Sequence, residues 1–210
     1  MKKNNSYLLD LIKSQKDNFS LDQSFYTNKS IFEMDLKTFF FNQWVFVGHI
    51  SRIKNKGDYF LFSIGEESII IIRENEDKIN AFYNVCRHRG SHICLEEEGR
   101  VRKFVCPYHA WNYDLSGKLL KARMMDDNFK PKNWSLKKCN CIVFEGLIFI
   151  NLSENASDFQ NFINPIEDFI KLHGLGKAKI AARKIYPTKG NWKLTLDNFH
   201  ECYHCQPSHP

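Results

Sequence analysis

Cys86-Arg-His88 and, after seventeen intervening residues, Cys106-Pro-Tyr-His109 bring two thiols and two imidazoles into one stretch of chain. Each pair follows a strand-like run, AFYNV or RKFV, after which a loop can present both side chains. Four such donors suit two kinds of centre. One is a tetrahedral structural zinc; the other is a [2Fe–2S] cluster with both Cys on one iron and both His on the other. The order C-x-H then C-x-x-H departs from the common zinc-finger arrangement, which keeps Cys with Cys and His with His. Gly90, Pro107 and Gly117 supply tight loops that let backbone N–H groups approach bridging sulfides. These details favour the cluster.

A second constellation closes the chain. Glu201, His204 and His209 have the spacing E-x-x-H-x4-H. Two imidazoles and a carboxylate form the facial triad that holds non-haem Fe(II) with open positions for O2 and substrate. The three-residue step predicts Glu201 and His204 on one face of a helix, with His209 just beyond, where Pro207 and Pro210 break it. Cys202 and Cys205 form a C-x-x-C that can bind zinc or cycle as a redox pair; packing in a core is the plainer role.

The elements that must position these groups follow from periodicity. Ser30-Ile-Phe-Glu33 has the form of a capping box and predicts a helix to about Asn42. From Trp44 to about Leu152, short β-branched and aromatic runs such as WVFVGHI, DYFLFSI and SIIIIRE alternate with turn residues. NCIVFEGLIFINL predicts a hairpin about Glu145-Gly146. This predicts a small all-β domain at residues 44–155, between an N-terminal helical segment, 1–43, and a more helical tail, 156–210. In the tail, Asn164-Pro165 starts a helix that stops at Gly174, KIAARKIYP reads as a strand, and WKLTLDNFHECYH reads as a helix. On that helix Trp192, Leu196, Phe199 and Tyr203 fall on one stripe, and Asp197, Asn198, Glu201 and His204 on another.

CRHRG…CPYHAW resembles the Rieske motif, C-x-H-x17-C-x-x-H, over about residues 40–155. The resemblance implies a small antiparallel sandwich carrying a [2Fe–2S] cluster on Cys86, His88, Cys106 and His109. The cysteine pair that cross-links the respiratory-chain type has no counterpart here, which leaves the oxygenase or ferredoxin type. GNWKLTLDNFHECYHCQPSHP resembles the segment that opens the α+β catalytic domain of Rieske non-haem iron oxygenase α subunits. That resemblance implies that His204 and His209 bind a mononuclear Fe(II), with a third, acidic ligand outside this chain, and that Asn198 lies near the iron. Glu201 would be the carboxylate bridging an iron-bound His to the cluster His109 of a neighbouring subunit, in a homotrimer. The chain then reads as the N-terminal fragment of an oxygenase, inactive alone. Its electrons would come from NAD(P)H through a reductase and, in some systems, a ferredoxin. Glu at 201 in ECYHC…HP leans the substrate toward quaternary ammonium compounds rather than aromatic rings. The alternatives are a Rieske ferredoxin-like electron-transfer module and a zinc-stapled interaction protein.

Composition sets the outer limits. With 210 residues, 43% hydrophobic and 14% aromatic, the chain can bury a core. The net charge of +6 is spread among interleaved acids and bases, without a nucleic-acid-binding motif. Its better use is steering an acidic electron-transfer partner. Neither a signal peptide nor an apolar run of about 18 residues is present, so the sequence reads as cytoplasmic, off the membrane. Seven Cys, an odd number, argue for metal ligation or packing over a disulfide framework.

Overall fold

The computed structural model describes residues 2–201 and 203–208. The chain forms two compact units: Phe39–Ala182, and Met1–Thr38 together with Arg183–Pro210.

The larger unit is built on ten strands: β1 (Val45–His49), β2 (Asp58–Ile64), β3 (Glu67–Arg73), β4 (Ile79–Tyr83), β5 (Glu98–Arg100), β6 (Phe104–Val105), β7 (Asn112–Tyr113), β8 (Leu119–Lys121), β9 (Lys138–Phe144) and β10 (Leu147–Asn151). Seven of them form an antiparallel sheet in the order β1-β10-β9-β4-β3-β2-β5; β6-β7-β8 form a second, smaller sheet. Strand β3 explains the architecture. Its run Ile69–Ile72 is fully buried, and alternate side chains enter different cores. Ile70 and Ile72 pack in the core that holds Cys86, Cys106 and Trp111. Ile69 and Ile71 pack with Val47, Phe60, Ile148 and Ile150 on the opposite face. A strand buried on both faces needs no polar alternation, and SIIIIR has none.

The hairpin at Glu145-Gly146 forms as expected, with Phe144 opposite Leu147 and positive φ at both turn residues (+47° and +79°). That is the primed turn which suits the strands' twist. His49 packs on this turn and is satisfied there: Nδ1 pairs with Ser51 Oγ and Nε2 with the Leu175 carbonyl, both at 2.9 Å. At Gly117 (φ +82°) a β-carbon would sit 2.5 Å from the Phe82 ring, so only glycine lets β4 and the small sheet approach this closely. Two short helices, α4 (Phe159–Ile163) and α5 (Glu167–Leu172), follow the sheet. Phe159 and Ile163 are buried against Trp44 and Phe149, each worth about 1.5–3 kcal/mol of apolar burial.

The smaller unit holds α1 (Lys2–Lys13), α2 (Ser24–Thr27), α3 (Lys29–Asp35), α6 (Trp192–His200) and α7 (Cys205–Ser208). Its two segments are joined by polar side chains. Lys193 is buried and its ammonium meets the Asp35 carboxylate and, at 3.2 Å, the Phe25 carbonyl. Tyr26 donates to Asp197 at 2.6 Å, and Asn191 donates to the Tyr26 carbonyl at 3.1 Å.

Three local expectations are corrected. The cap of α3 is Asn28, whose side chain accepts from the Ser30 and Ile31 N–H groups; an Asn at the first non-helical position takes the role assigned to Ser30. Residues 178–190, which include KIAARKIYP, form no strand: all are exposed, and no neighbouring strand among the described residues takes their backbone hydrogen bonds. Helix α6 ends at His200 instead of running through His204. Glu201 is extended (φ −100°, ψ 106°), and its carboxylate accepts from the Tyr203 N–H that a continued helix would have used.

Candidate cluster cradle and iron-ligand segment

Cys86 and Cys106 open two loops of the same design. Cys86 N–H donates to the Ser91 carbonyl (2.8 Å), and its own carbonyl accepts from Gly90 N–H (3.0 Å). Cys106 repeats this with Trp111 (2.9 Å) and Ala110 (3.0 Å). In both loops the residue four after the Cys turns left-handed: Gly90 at φ +75°, Ala110 at φ +57°. Alanine is strained there. Ala110→Gly should therefore raise stability by about 0.5–1 kcal/mol after glycine's entropy penalty, read as a higher denaturation midpoint with the loop otherwise unchanged.

The loops bring the four expected donors together as two pairs. Cys86 and Cys106 are both 2% exposed and lie within side-chain contact. His88 and His109 have ring centroids 4.6 Å apart. His88 also stacks on buried Trp111 (4.8 Å, 10°), which is braced by Phe129 and Trp134. Burial, then the neighbouring His109 and Arg89, lower the His88 pKa, favouring the neutral ring that can donate a lone pair. His88 Nδ1 is buried and has no hydrogen-bond partner. Burial raises the Cys86 thiol pKa, so a thiolate this deep needs a metal's charge to offset its desolvation. Among the described residues no three His, Cys, Asp or Glu side chains converge on one point. A thiol pair beside an imidazole pair is instead the division that two irons require, and the residues fit a [2Fe–2S] cluster.

Two supporting residues escaped the sequence analysis. Asn84 is fully buried; its Oδ1 accepts from Ile93 and Cys94 N–H (3.0 and 2.9 Å), and its Nδ2 donates to the Cys94 carbonyl (2.8 Å). It closes the first loop from beneath. The signal was a lone polar residue ending an apolar run just before Cys86. Tyr113 is also fully buried, with its hydroxyl 3.4 Å from Cys86 Sγ and accepting from Arg87 N–H at 3.2 Å. Burial and the adjacent sulfur push the phenol's pKa far up, so the hydroxyl stays a donor. Tyr113→Phe removes that donor from a charged sulfur. The cluster's midpoint potential should fall by about 50–100 mV, checked by film voltammetry.

In the second constellation, His204 Nδ1 lies 3.6 Å from Glu201 Oε2. The two meet across a turn between α6 and α7, not along a helix face. His204 is partly buried, while Glu201 and Asn198 are exposed. His209 and Cys202 lie outside the described residues. Phe199 and Tyr203 are 78% and 92% exposed, so much of the expected apolar stripe faces outward.

Fold and donors define a Rieske-type iron–sulfur domain, with the Glu201–His204 pair downstream of it. The Rieske [2Fe-2S] domain family matches residues 43–139, and the ring hydroxylating alpha subunit (catalytic domain) family matches residues 175–210. The glycine betaine monooxygenase oxygenase subunit of Pseudomonas aeruginosa is 39% identical over 202 residues, covering 96% of this chain and 47% of that protein. The carnitine monooxygenase oxygenase subunit of Escherichia coli (strain K12) is 36% identical, covering 91% and 52%. The crystal structure of the quaternary ammonium Rieske monooxygenase CntA with L-carnitine superposes with a TM-score of 0.81 at 36% identity, over 89% of this chain and 54% of that one. A Rieske [2Fe-2S] domain followed by the beginning of a ring hydroxylating alpha subunit catalytic domain is the order found in Rieske non-haem iron oxygenase α subunits, which this chain resembles. It spans about half the length of the curated relatives it matches. Among the described residues no helix is long and apolar enough to cross a membrane.

Proposed function

We propose that this chain is the electron-receiving and iron-approaching part of an oxygenase that hydroxylates an N-methyl group of a quaternary ammonium compound. The observation that carries this is the conjunction of the paired Cys/His cradle with the Glu201–His204 pair, in that order along one chain. Cys86, Cys106, His88 and His109 would hold the cluster, which when bound supplies one-electron storage at a potential raised by its imidazole ligands. His204 and His209 would hold a mononuclear iron, with Asn198 close by. The relatives named for glycine betaine and carnitine support the substrate class.

The chain's own residues do the positioning. Asn84 and the two hydrogen-bonded loops fix the thiols, and Trp111 fixes the His88 ring plane. The Tyr113 hydroxyl sits at the Cys86 sulfur and would donate to it as a thiolate, while Tyr108, 60% exposed and 3.8 Å from the His109 ring, marks the outward edge. Glu201 holds its carboxylate at His204 Nδ1 and can hydrogen-bond an imidazole N–H of a neighbouring subunit. The homologous monooxygenase structure is described in terms of inter-subunit electron transfer, which supports this role for Glu201 and a homo-oligomer. An NAD(P)H-dependent reductase would supply the electrons.

The test is turnover of glycine betaine or carnitine by the enzyme containing this chain, with NAD(P)H, reductase and O2. Hydroxylation of an N-methyl group of glycine betaine gives a carbinol that releases formaldehyde, one per O2 consumed. Glu201→Gln should retain both metal centres yet lose single-turnover product formation by about 100-fold or more. Formaldehyde-free turnover would overturn the N-methyl position of attack, and a cis-diol from an arene would overturn the substrate class; an unchanged single-turnover rate would remove the bridge.

A further inference from the structure

A concavity of about 610 Å3 in the larger unit is lined by Lys56, Arg100, Val101, Arg102 and Leu115, with none of the ligand pairs in its wall. Two loops distant in sequence build it. Val101 N–H donates to the Gly57 carbonyl (2.9 Å), and Arg100 Nε to the Lys56 carbonyl (3.2 Å). A β-carbon on Gly57 would meet the Val101 carbonyl at 2.1 Å, so the loops touch backbone to backbone. This contact brings Lys56 and Arg102 together at the concavity, with Lys54 and Lys103 in the same two loops; all four are exposed and none is in an ion pair among the described residues. The rim carboxylate, Asp58, is engaged by Arg100 at 3.6 Å and by Asn55 N–H. The acidic run Glu96–Glu98 lies toward the other end of β5, where Glu98 pairs with Arg52. The sheet edge is therefore polarised, with its cationic end at the concavity.

That end also leads straight to the cradle. Arg102 and Lys103 run into β6, which ends one residue before Cys106. Arg102 and Cys106 are four positions apart, a span of at most about 13–14 Å.

We infer that the concavity between loops 54–57 and 100–103 is the docking surface for an acidic electron-donor protein, which delivers its electron to the Cys106 side of the cradle. The inference rests on the proposed electron-transfer role. One electron leaves the reduced donor and one arrives; no bond is made or broken. Charge at a rim acts chiefly through encounter rate and its salt dependence, which suits a donor that must bind, deliver and leave.

The test uses a small acidic plant-type ferredoxin as probe and the cluster-loaded chain. Binding of oxidised ferredoxin is measured by calorimetry, and cluster reduction by reduced ferredoxin by stopped flow, each at low and high salt. Lys56→Glu with Arg102→Glu should weaken binding and slow reduction at low salt by at least about tenfold, with little salt dependence left. The milder Lys56→Gln with Arg102→Gln should fall in between, should the reversal disturb folding. Direct reduction by dithionite should be unchanged, and so should ferredoxin kinetics of Lys179→Glu. Wild-type-like binding by both double variants overturns the inference, as does equal weakening by Lys179→Glu. Retention of a short nucleic-acid duplex that the reversals abolish, with ferredoxin binding unmoved, would give the surface to nucleic acid. Failure to assemble two irons and two labile sulfides would instead sink the proposed function itself.

Discussion

His109→Cys should leave two irons and two acid-labile sulfides on the chain while lowering the midpoint potential by roughly 200 mV or more. The neutral imidazole becomes an anionic thiolate, which adds negative charge to the centre and favours its oxidised state. The cradle allows the exchange: His109 is partly exposed beside Tyr108, so a smaller side chain leaves no closed cavity. His88→Cys should cost more stability, because it also removes a ring stacked on buried Trp111. His92 is exposed, and His92→Cys should leave the potential within about 30 mV, since a surface group outside the coordination sphere tunes it only weakly. Matching potentials and visible spectra for wild type and His109→Cys would remove His109 from the ligand set, and with it the Rieske assignment of these four positions.

The second large effect belongs to the smaller unit. Asp35→Ala leaves the Lys193 ammonium buried with the Phe25 carbonyl and the Trp192 ring near it but no counter-charge from Asp35, and should destabilise that unit by about 3–5 kcal/mol. Asp35→Leu combined with Lys193→Met should recover most of the loss, because an apolar pair needs no desolvated charge. Lys193 sits on α6, which carries Asn198 and leads into Glu201 and His204. Early proteolysis within 183–208 should therefore accompany Asp35→Ala while cluster absorbance persists. Equal protease resistance of Asp35→Ala and wild type would mean that the pair contributes little.

The cradle was legible because its chemistry is local. Two donors two or three residues apart must leave the same loop, and apolar runs before them must be strands; Cys86/His88 and Cys106/His109 follow directly. The turn at Glu145-Gly146 was legible for a similar reason, since positive φ at consecutive residues selects few types. What stayed hidden depends on partners distant in sequence. Nothing around Lys193 says that its ammonium will be buried by Asp35, 158 positions away. Asn84 and Tyr113 read as ordinary strand residues until the fold places them under Cys94 and against Cys86. The helix through His204 failed on a competition periodicity cannot see, between the next backbone carbonyl and the Glu201 carboxylate for one N–H group. KIAARKIYP has strand composition, but composition does not supply a neighbouring strand.

The smaller unit is assembled from both ends of the described chain, Met1–Thr38 and Arg183–Pro210, with Phe39–Ala182 between them. On a ribosome α1–α3 emerge first, yet their counterpart α6 emerges only after the whole β-rich unit has been synthesised. At about 5–20 residues per second, the early helices wait on the order of ten seconds without the surface that completes them. During that interval Asp35 and Phe25 have no Lys193 to cover them, and helices this short hold little structure alone. The β-rich unit must therefore fold beside an unfinished amphipathic leader. Mutations in α6 should therefore lower the yield of folded chain.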